Sequence, residues 1–134
     1  MIFSKEVSIS TDRRSCWVDV TSQVQKVVDS GSVEDGICTV SSLHTTGAVT
    51  LNENADPDVE RDFFYKLDKL VDRDPAFRHA EGNSDSHVKT SLVGLSAQVP
   101  IRSGRLVLGT WQSVYFCEFD GPRSRRVTVT VMGE

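Results

Sequence analysis

The chain is poor in most features that mark a special class of protein. It has three cysteines, Cys16, Cys38 and Cys117, in 134 residues. Their number is odd, they lie far apart and no CxxC pair occurs, so neither a disulfide framework nor a cysteine zinc site is expected. Apolar and strand-forming neighbours mark them as buried, reduced thiols. No apolar run approaches the ~20 residues of a membrane span. The opening Met1-Ile2-Phe3-Ser4-Lys5-Glu6 lacks the apolar core of a signal peptide. A cytoplasmic protein with no membrane partner is expected. Positive charge is not in excess: the net charge is -4, which gives no general reason to expect nucleic-acid binding. Repeats, low-complexity segments and linkers are absent.

What remains is an ordinary globular composition, 38% hydrophobic and 25% charged, that points to one domain over residues 1–134. A chain of this length buries roughly two thirds of its unfolded surface and needs no staple. Residues 2–10 alternate as in a strand, and Trp17-Val18-Asp19-Val20 is expected to close a hairpin on it. Val24, Val27 and Val28 fall at helical spacing, with Thr21 or Ser22 as cap and Gly31 as stop. Ile37–Leu43 and Val49–Glu53 read as strands around the bend at His44. Asp56 and Pro57 open a helix whose stripe is Val59, Phe63, Leu67 and Leu70, with Phe64 and Val71 beside it. Ser84 is expected to cap a helix through about Leu92 that ends at Gly94. Beyond Leu95 the pattern is all strand: Ser96–Ile101, a turn at Ser103-Gly104, one bent or two shorter strands over Leu106–Phe119, a turn at Gly121-Pro122, and Val127–Val131. The predicted class is α+β, with about three helices against a largely antiparallel sheet.

Chemistry concentrates in a few places. His79-Ala-Glu-Gly-Asn-Ser-Asp-Ser-His87 holds two of the three histidines with almost nothing apolar between them, and His44 lies in the similarly polar Ser41–Gly47. Three neutral imidazoles with an open position are a common catalytic zinc arrangement. The predicted first-turn position of His87 favours the neutral, metal-binding form. The His-x7-His spacing is not a recognised ligand spacing, and the plainer alternative is that each histidine is a surface or hydrogen-bonded structural residue. Glu53, Glu81, Asp85 and Glu118 are the acids expected to move protons or orient ligands. Glu118 shares a strand face with Val114 and Phe116, so it needs a partner such as an arginine, or a shifted pKa, unless that face is the solvent side. Trp111-Gln112 could hold an aromatic ring ligand, or Trp111 could be a core or interface residue. Among Arg123, Arg125 and Arg126, Arg123 is the candidate for an anionic group.

Taken in order, Leu43-His44-Thr45-Thr46, Asn52-Glu53-Asn54, His79 with Glu81 to His87, Gly109-Thr110-Trp111-Gln112 and Glu118-Phe119-Asp120-Gly121-Pro122-Arg123 resemble the YjbQ-like family over nearly the whole chain. Ser86 stands where a small residue such as alanine would be expected. The resemblance implies an α+β fold, a homotrimer, and a cleft in which His44, His79 and His87 gather round a divalent metal ion. Thr45 and Asn83, polar residues of the same motifs, are expected substrate contacts with Trp111, Gln112 and Arg123. It also implies a secondary thiamine-phosphate synthase, which joins a pyrimidine-methyl diphosphate to a thiazole phosphate and releases diphosphate. The substrate is then a small phosphorylated molecule. Three histidines suit zinc or another transition metal, whereas magnesium, the usual partner of diphosphate, prefers oxygen ligands. Metal-assisted hydrolysis and non-catalytic metabolite binding are the alternatives.

Overall fold

The computed structural model describes residues 1–134. Its elements are β1 (Ile2–Ser10), β2 (Cys16–Asp19), α1 (Thr21–Ser30), β3 (Gly36–Ser42), β4 (Gly47–Glu53), α2 (Pro57–Leu70), α3 (Ser84–Val93), β5 (Ser96–Arg102), β6 (Arg105–Leu106), β7 (Gln112–Glu118) and β8 (Ser124–Gly133). A five-stranded sheet has the order β1-β8-β3-β5-β6, and a three-stranded sheet the order β2-β7-β4. Every strand pair is antiparallel. The α+β class read from the sequence is the observed one.

Side-chain alternation builds the core. On β8, Val127, Val129 and Val131 are fully buried and face Ser42, Val40 and Cys38 of β3 in register. With α1 and inward residues of the second sheet they form the main cluster, which includes Val24, Val28, Val49, Val114 and Phe116. Each fully buried valine contributes about 1.5–3 kcal/mol of transfer free energy. Ala48, Phe64, Leu67, Cys117 and Phe119 form a second cluster under α2. All three cysteines are buried and unpaired. Burial pushes the Cys38 thiol up to about 11, so it is an inert packing group.

Several local expectations are corrected. β2 pairs with β7, not with β1. There Trp17 stacks on Tyr115 with ring centroids 4.3 Å apart and meets Phe63 and Phe64, an aromatic setting made by α2 and the second sheet. Neither Thr21 nor Ser22 caps α1. Asp19 Oδ1 accepts the Thr21 N–H at 3.0 Å, and the Thr21 hydroxyl accepts the Val114 N–H at 2.8 Å. On α2 the Asp56 cap holds, accepting the Asp58 N–H at 2.9 Å. Phe64 and Leu67 are its buried residues, while Leu70 is 70% exposed. The Leu106–Phe119 stretch divides between two sheets, with 107–111 as the connection. Ser103 and Gly104 both have positive φ, as a two-residue type I′ hairpin requires.

α3 is the unusual element. It buries Asp85, Ser86, Lys89 and Thr90 and exposes Val88 and Leu92, the reverse of an ordinary amphipathic helix. Its inner face is held by polar bonds. Asp85 pairs with Arg14 at 3.1 Å, Lys89 with Asp68 at 2.5 Å, and the Ser86 hydroxyl donates to Phe119 O at 2.6 Å. Asn83, not Ser84, is the cap position, and its side chain makes no capping bond.

Gly47 is required by a close approach. A Cβ there would lie 2.2 Å from Phe116 Cζ, and the Phe116 ring is fully buried. Gly47→Ala is therefore expected to cost about 1–3 kcal/mol, read as a lower urea midpoint at unchanged slope. An unchanged midpoint would show that the ring can yield.

Candidate functional site

The bend between β3 and β4 is tied down by Ser42. Its hydroxyl donates to Gly47 O at 2.8 Å and accepts the His44 N–H at 3.1 Å. That knot presents residues 43–46 beside the β7–β8 turn. A cleft of about 350 Å³ lies there, lined by Leu43, His44, Thr45, Thr46, His79, Glu81, Asn83, His87, Arg123 and Arg125. The structure thus brings together all three histidines with Thr45, Asn83 and Arg123.

Beneath the cleft lies an ion pair. Glu118 is fully buried and Arg125 nearly so. Arg125 donates to Glu118 through Nε (2.8 Å to Oε1) and through Nη2 to Oε2. Thr11 Oγ1 donates to Oε1 at 2.7 Å, and the Asp120 N–H donates to Oε2 at 3.0 Å. Burial alone would push the Glu118 carboxyl up. The hydrogen bonds from Arg125, Thr11 and the Asp120 N–H, with the Arg125 charge, outweigh it and hold the carboxyl below the usual range. Arg125 Nη2 also reaches Thr46 Oγ1 at 2.8 Å and Thr46 O at 3.2 Å. Every bond Arg125 makes uses Nε or Nη2, so Nη1 is left for the cleft.

The turn after β7 adds a second arginine. Arg123 donates through Nη2 to Asp120 Oδ2 and through Nε to Asp120 O, both at 2.9 Å. Asn83 Nδ2 donates to the same Asp120 Oδ2 at 2.7 Å. Asn83 Oδ1 is buried and meets no donor in the protein. Exchanging the two ends of that amide would set an oxygen against the Asp120 carboxylate, so the orientation is fixed by its neighbour. α3 starts at Ser84, directly after Asn83. The Ser84 and Asp85 N–H groups find no acceptor in the protein, and free N–H groups at a helix start favour negative charge.

The three imidazoles differ. His79 and His87 form an edge-to-face pair with ring centroids 5.2 Å apart. His44 stands edge-on to Phe116, and its Nε2 accepts the Arg126 N–H at 2.8 Å. Burial, followed by the Arg125 charge, lowers the His44 pKa, opposed by Glu118 and assisted by Arg126 and Arg123. The resemblance implies a metal ion held by all three. No group of three His, Cys, Asp or Glu side chains stands in an arrangement able to hold one. The His44 lone pair at Nε2 is already engaged. As placed, these residues do not fit a three-histidine centre.

The other candidates lie elsewhere. Glu118 is beneath the cleft, as the partner of an arginine. Asp85 faces away into the pairs with Arg14 and Lys89. Burial works against its ionised form, and the Arg14 hydrogen bond and charge, the Lys89 charge and the Ser86 N–H together lower its pKa. Glu53 lines a separate cleft of about 280 Å³ with Trp17, Asp19, Glu60 and Tyr115. Trp111, 61% exposed, and Gln112 sit at the start of β7, roughly 20 Å of strand from Glu118. Glu81 is the one of the four acids that lines the cleft, and Arg125 and Thr46 are cleft residues not selected from the sequence. Arg125 was legible: it is in phase with Val127, Val129 and Val131, and an arginine on a buried strand face needs an anion.

Removing the carboxylate by Glu118→Ala strands a buried guanidinium and is expected to cost about 3–5 kcal/mol. Because the folded Glu118 and Asp85 pKa values are lowered, their contribution is fully present above the ordinary carboxylate range. It is lost as the pH falls through the depressed values. Glu118→Gln should therefore flatten the acid limb of a plot of urea midpoint against pH. An unchanged limb would show that the pair carries no such linkage.

The comparisons with known proteins agree with this architecture. Residues 5–134 match the family model described as UPF0047 protein YjbQ-like. The UPF0047 protein MJ1081 of Methanocaldococcus jannaschii is 44% identical over 126 residues, 94% of this chain and 91% of the relative. YugU of Bacillus subtilis is 42% identical over 130 residues, 96% and 98% of the two chains. A crystal structure of a yjbq/upf0047 family protein from Clostridium acetobutylicum superposes with a TM-score of 0.93 at 48% identity, covering 96% of this chain and 99% of that one. A structure from Sulfolobus solfataricus P2, described as a protein of unknown function, gives a TM-score of 0.94 at 31% identity, covering 100% and 99%. A family model matching all but the first four residues, relatives above 40% identity and superposable solved structures establish together that the chain belongs to the YjbQ-like UPF0047 family.

Proposed function

We propose that the cleft is the active site of an enzyme acting on a small phosphorylated substrate. One observation carries this reading. Arg123 and Arg125, whose Nη1 makes no bond within the protein, line the same cleft as the His79–His87 pair. Donors fixed before the substrate arrives are what a developing phosphate or diphosphate charge requires, because they cost no reorganisation during the reaction. The adjacent imidazoles are the groups in the cleft suited to general acid–base work.

Secondary thiamine-phosphate synthesis is a specific case of this chemistry. The thiazole nitrogen bonds to the pyrimidine-methyl carbon as the bond from that carbon to diphosphate oxygen breaks, and Arg123 and Arg125 would hold the departing anion while a histidine protonates it. Stacking of the pyrimidine on Trp111 is not available within one subunit. It would need a neighbouring copy, and Trp111, Val88 and Leu92 are exposed apolar residues available to one. We extend the proposal to a homotrimer, to be read by analytical ultracentrifugation. Glu81 beside the histidine pair favours a second reading, hydrolysis of a phosphate ester by an activated water.

The test is incubation of purified protein with the pyrimidine-methyl diphosphate and the thiazole phosphate, following thiamine phosphate and diphosphate. Turnover is expected, with His79→Ala and His87→Ala each lowering kcat by about 100-fold or more. Phosphate release from a single ester with no second substrate would favour hydrolysis. Tight binding without turnover of either kind would refute the enzyme reading.

A further inference from the structure

His44 is set apart from the other two histidines by the end of a strand. The ladder between β3 and β8 finishes with the Leu43 N–H donating to Arg126 O at 3.3 Å. In an antiparallel ladder the N–H and C=O of one residue point to the same neighbour, so the Arg126 N–H also faces the β3 side. β3 has already turned away into the 43–46 bend, and no carbonyl follows. The His44 ring takes that place, with Nε2 accepting the Arg126 N–H at 2.8 Å. The imidazole caps a central strand where its backbone partner ends.

Counting protons then fixes the ring. A neutral imidazole has one in-plane lone pair and one N–H. The lone pair is on Nε2, engaged by β8, so the proton is on Nδ1. A metal at Nδ1 would require the imidazolate. A metal at Nε2 would leave the Arg126 N–H without an acceptor. His44 nonetheless lines the cleft with Arg123 and Arg125, and Nδ1–H is the polar group left to it. We infer that His44 is locked by Arg126 as the Nδ1–H tautomer and serves as a hydrogen-bond donor to an oxygen of the ligand's anionic group, not as a metal ligand. The inference rests on the reading of the cleft as an anion site. It adds that the ligand atom meeting His44 is an acceptor, as every oxygen of an ionised phosphate is and an ammonium or amide N–H is not.

The experiment uses the full chain, uniformly labelled with ¹⁵N, and long-range imidazole correlations assigned with His44→Gln. Glutamine keeps an oxygen able to accept the Arg126 N–H and lacks a donor at the Nδ1 position, so the urea midpoint should stay near that of the parent. Expected are an unprotonated Nε2 and a protonated Nδ1 in His44, a shift of Nδ1–H on titration with inorganic phosphate, and phosphate affinity weakened about tenfold in His44→Gln, as loss of a charge-assisted bond implies. Zinc alone, titrated by calorimetry, should bind the variant as it binds the parent, however weakly. An unprotonated Nδ1, or zinc binding lost in His44→Gln, overturns the inference. Phosphate that binds without moving His44, and equally well to His44→Gln, overturns it while leaving the anion cleft standing. If phosphate does not bind at all, the anion reading falls and this inference with it.

Discussion

The ion pair between Glu118 and Arg125 is the constraint on which the rest of the site depends. Two charges taken out of water are tolerated only when the geometry is good and the remaining lone pairs and protons are satisfied. Here both conditions are met by the backbone and by Thr11 and Thr46. The pair therefore ties together four segments: the end of β1, the β3–β4 bend, the end of β7 and the start of β8. Arg125 also lines the cleft. Through Asp120, whose N–H donates to Glu118, the same hub also places Arg123 and Asn83. The wall of the cleft formed by Thr46, Asn83, Arg123 and Arg125 thus follows from satisfying one buried carboxylate.

That arrangement explains why some residues were legible in the sequence and others were not. Glu118 and Arg125 are both out of character on their strand faces, one among Val114 and Phe116, the other in phase with three valines. Each anomaly is visible alone. Their pairing is not, because it depends on β7 and β8 lying in different sheets and meeting at the turn. The three histidines were legible as a convergent group because they stand in polar, unpackable surroundings. Their individual roles were not. The Arg126 N–H that engages His44 belongs to a backbone ladder, which leaves no trace in residue type.

Elements were recovered where periodicity and caps agreed, as at β8 and at α2 with its Asp56-Pro57 start. The errors have a common cause in tertiary context. β2 reads as the return strand of a hairpin, yet Trp17 is drawn to Tyr115 and to α2. The acids Glu53 and Asp85 fit the motifs in composition. Strand direction and helix phase turn one into a neighbouring cleft and the other into a buried charge network. Composition places an acid near a site, and only the fold decides which way it points.

The inverted face of α3 has a consequence for how the cleft wall comes and goes. Detaching a helix that docks through Asp85, Ser86 and Lys89 breaks polar and charged bonds, and Val93 is the apolar residue it withdraws from the second cluster. Such an opening has a smaller denaturant dependence and heat-capacity change than loss of the valine core. It is also sensitive to salt, which screens charges once they are partly hydrated. Amide exchange in 84–93 would then report a local opening separate from the valine core, and the half of the cleft that carries His87 would be tuned by ionic strength while the half built on Glu118 and Arg125 holds still.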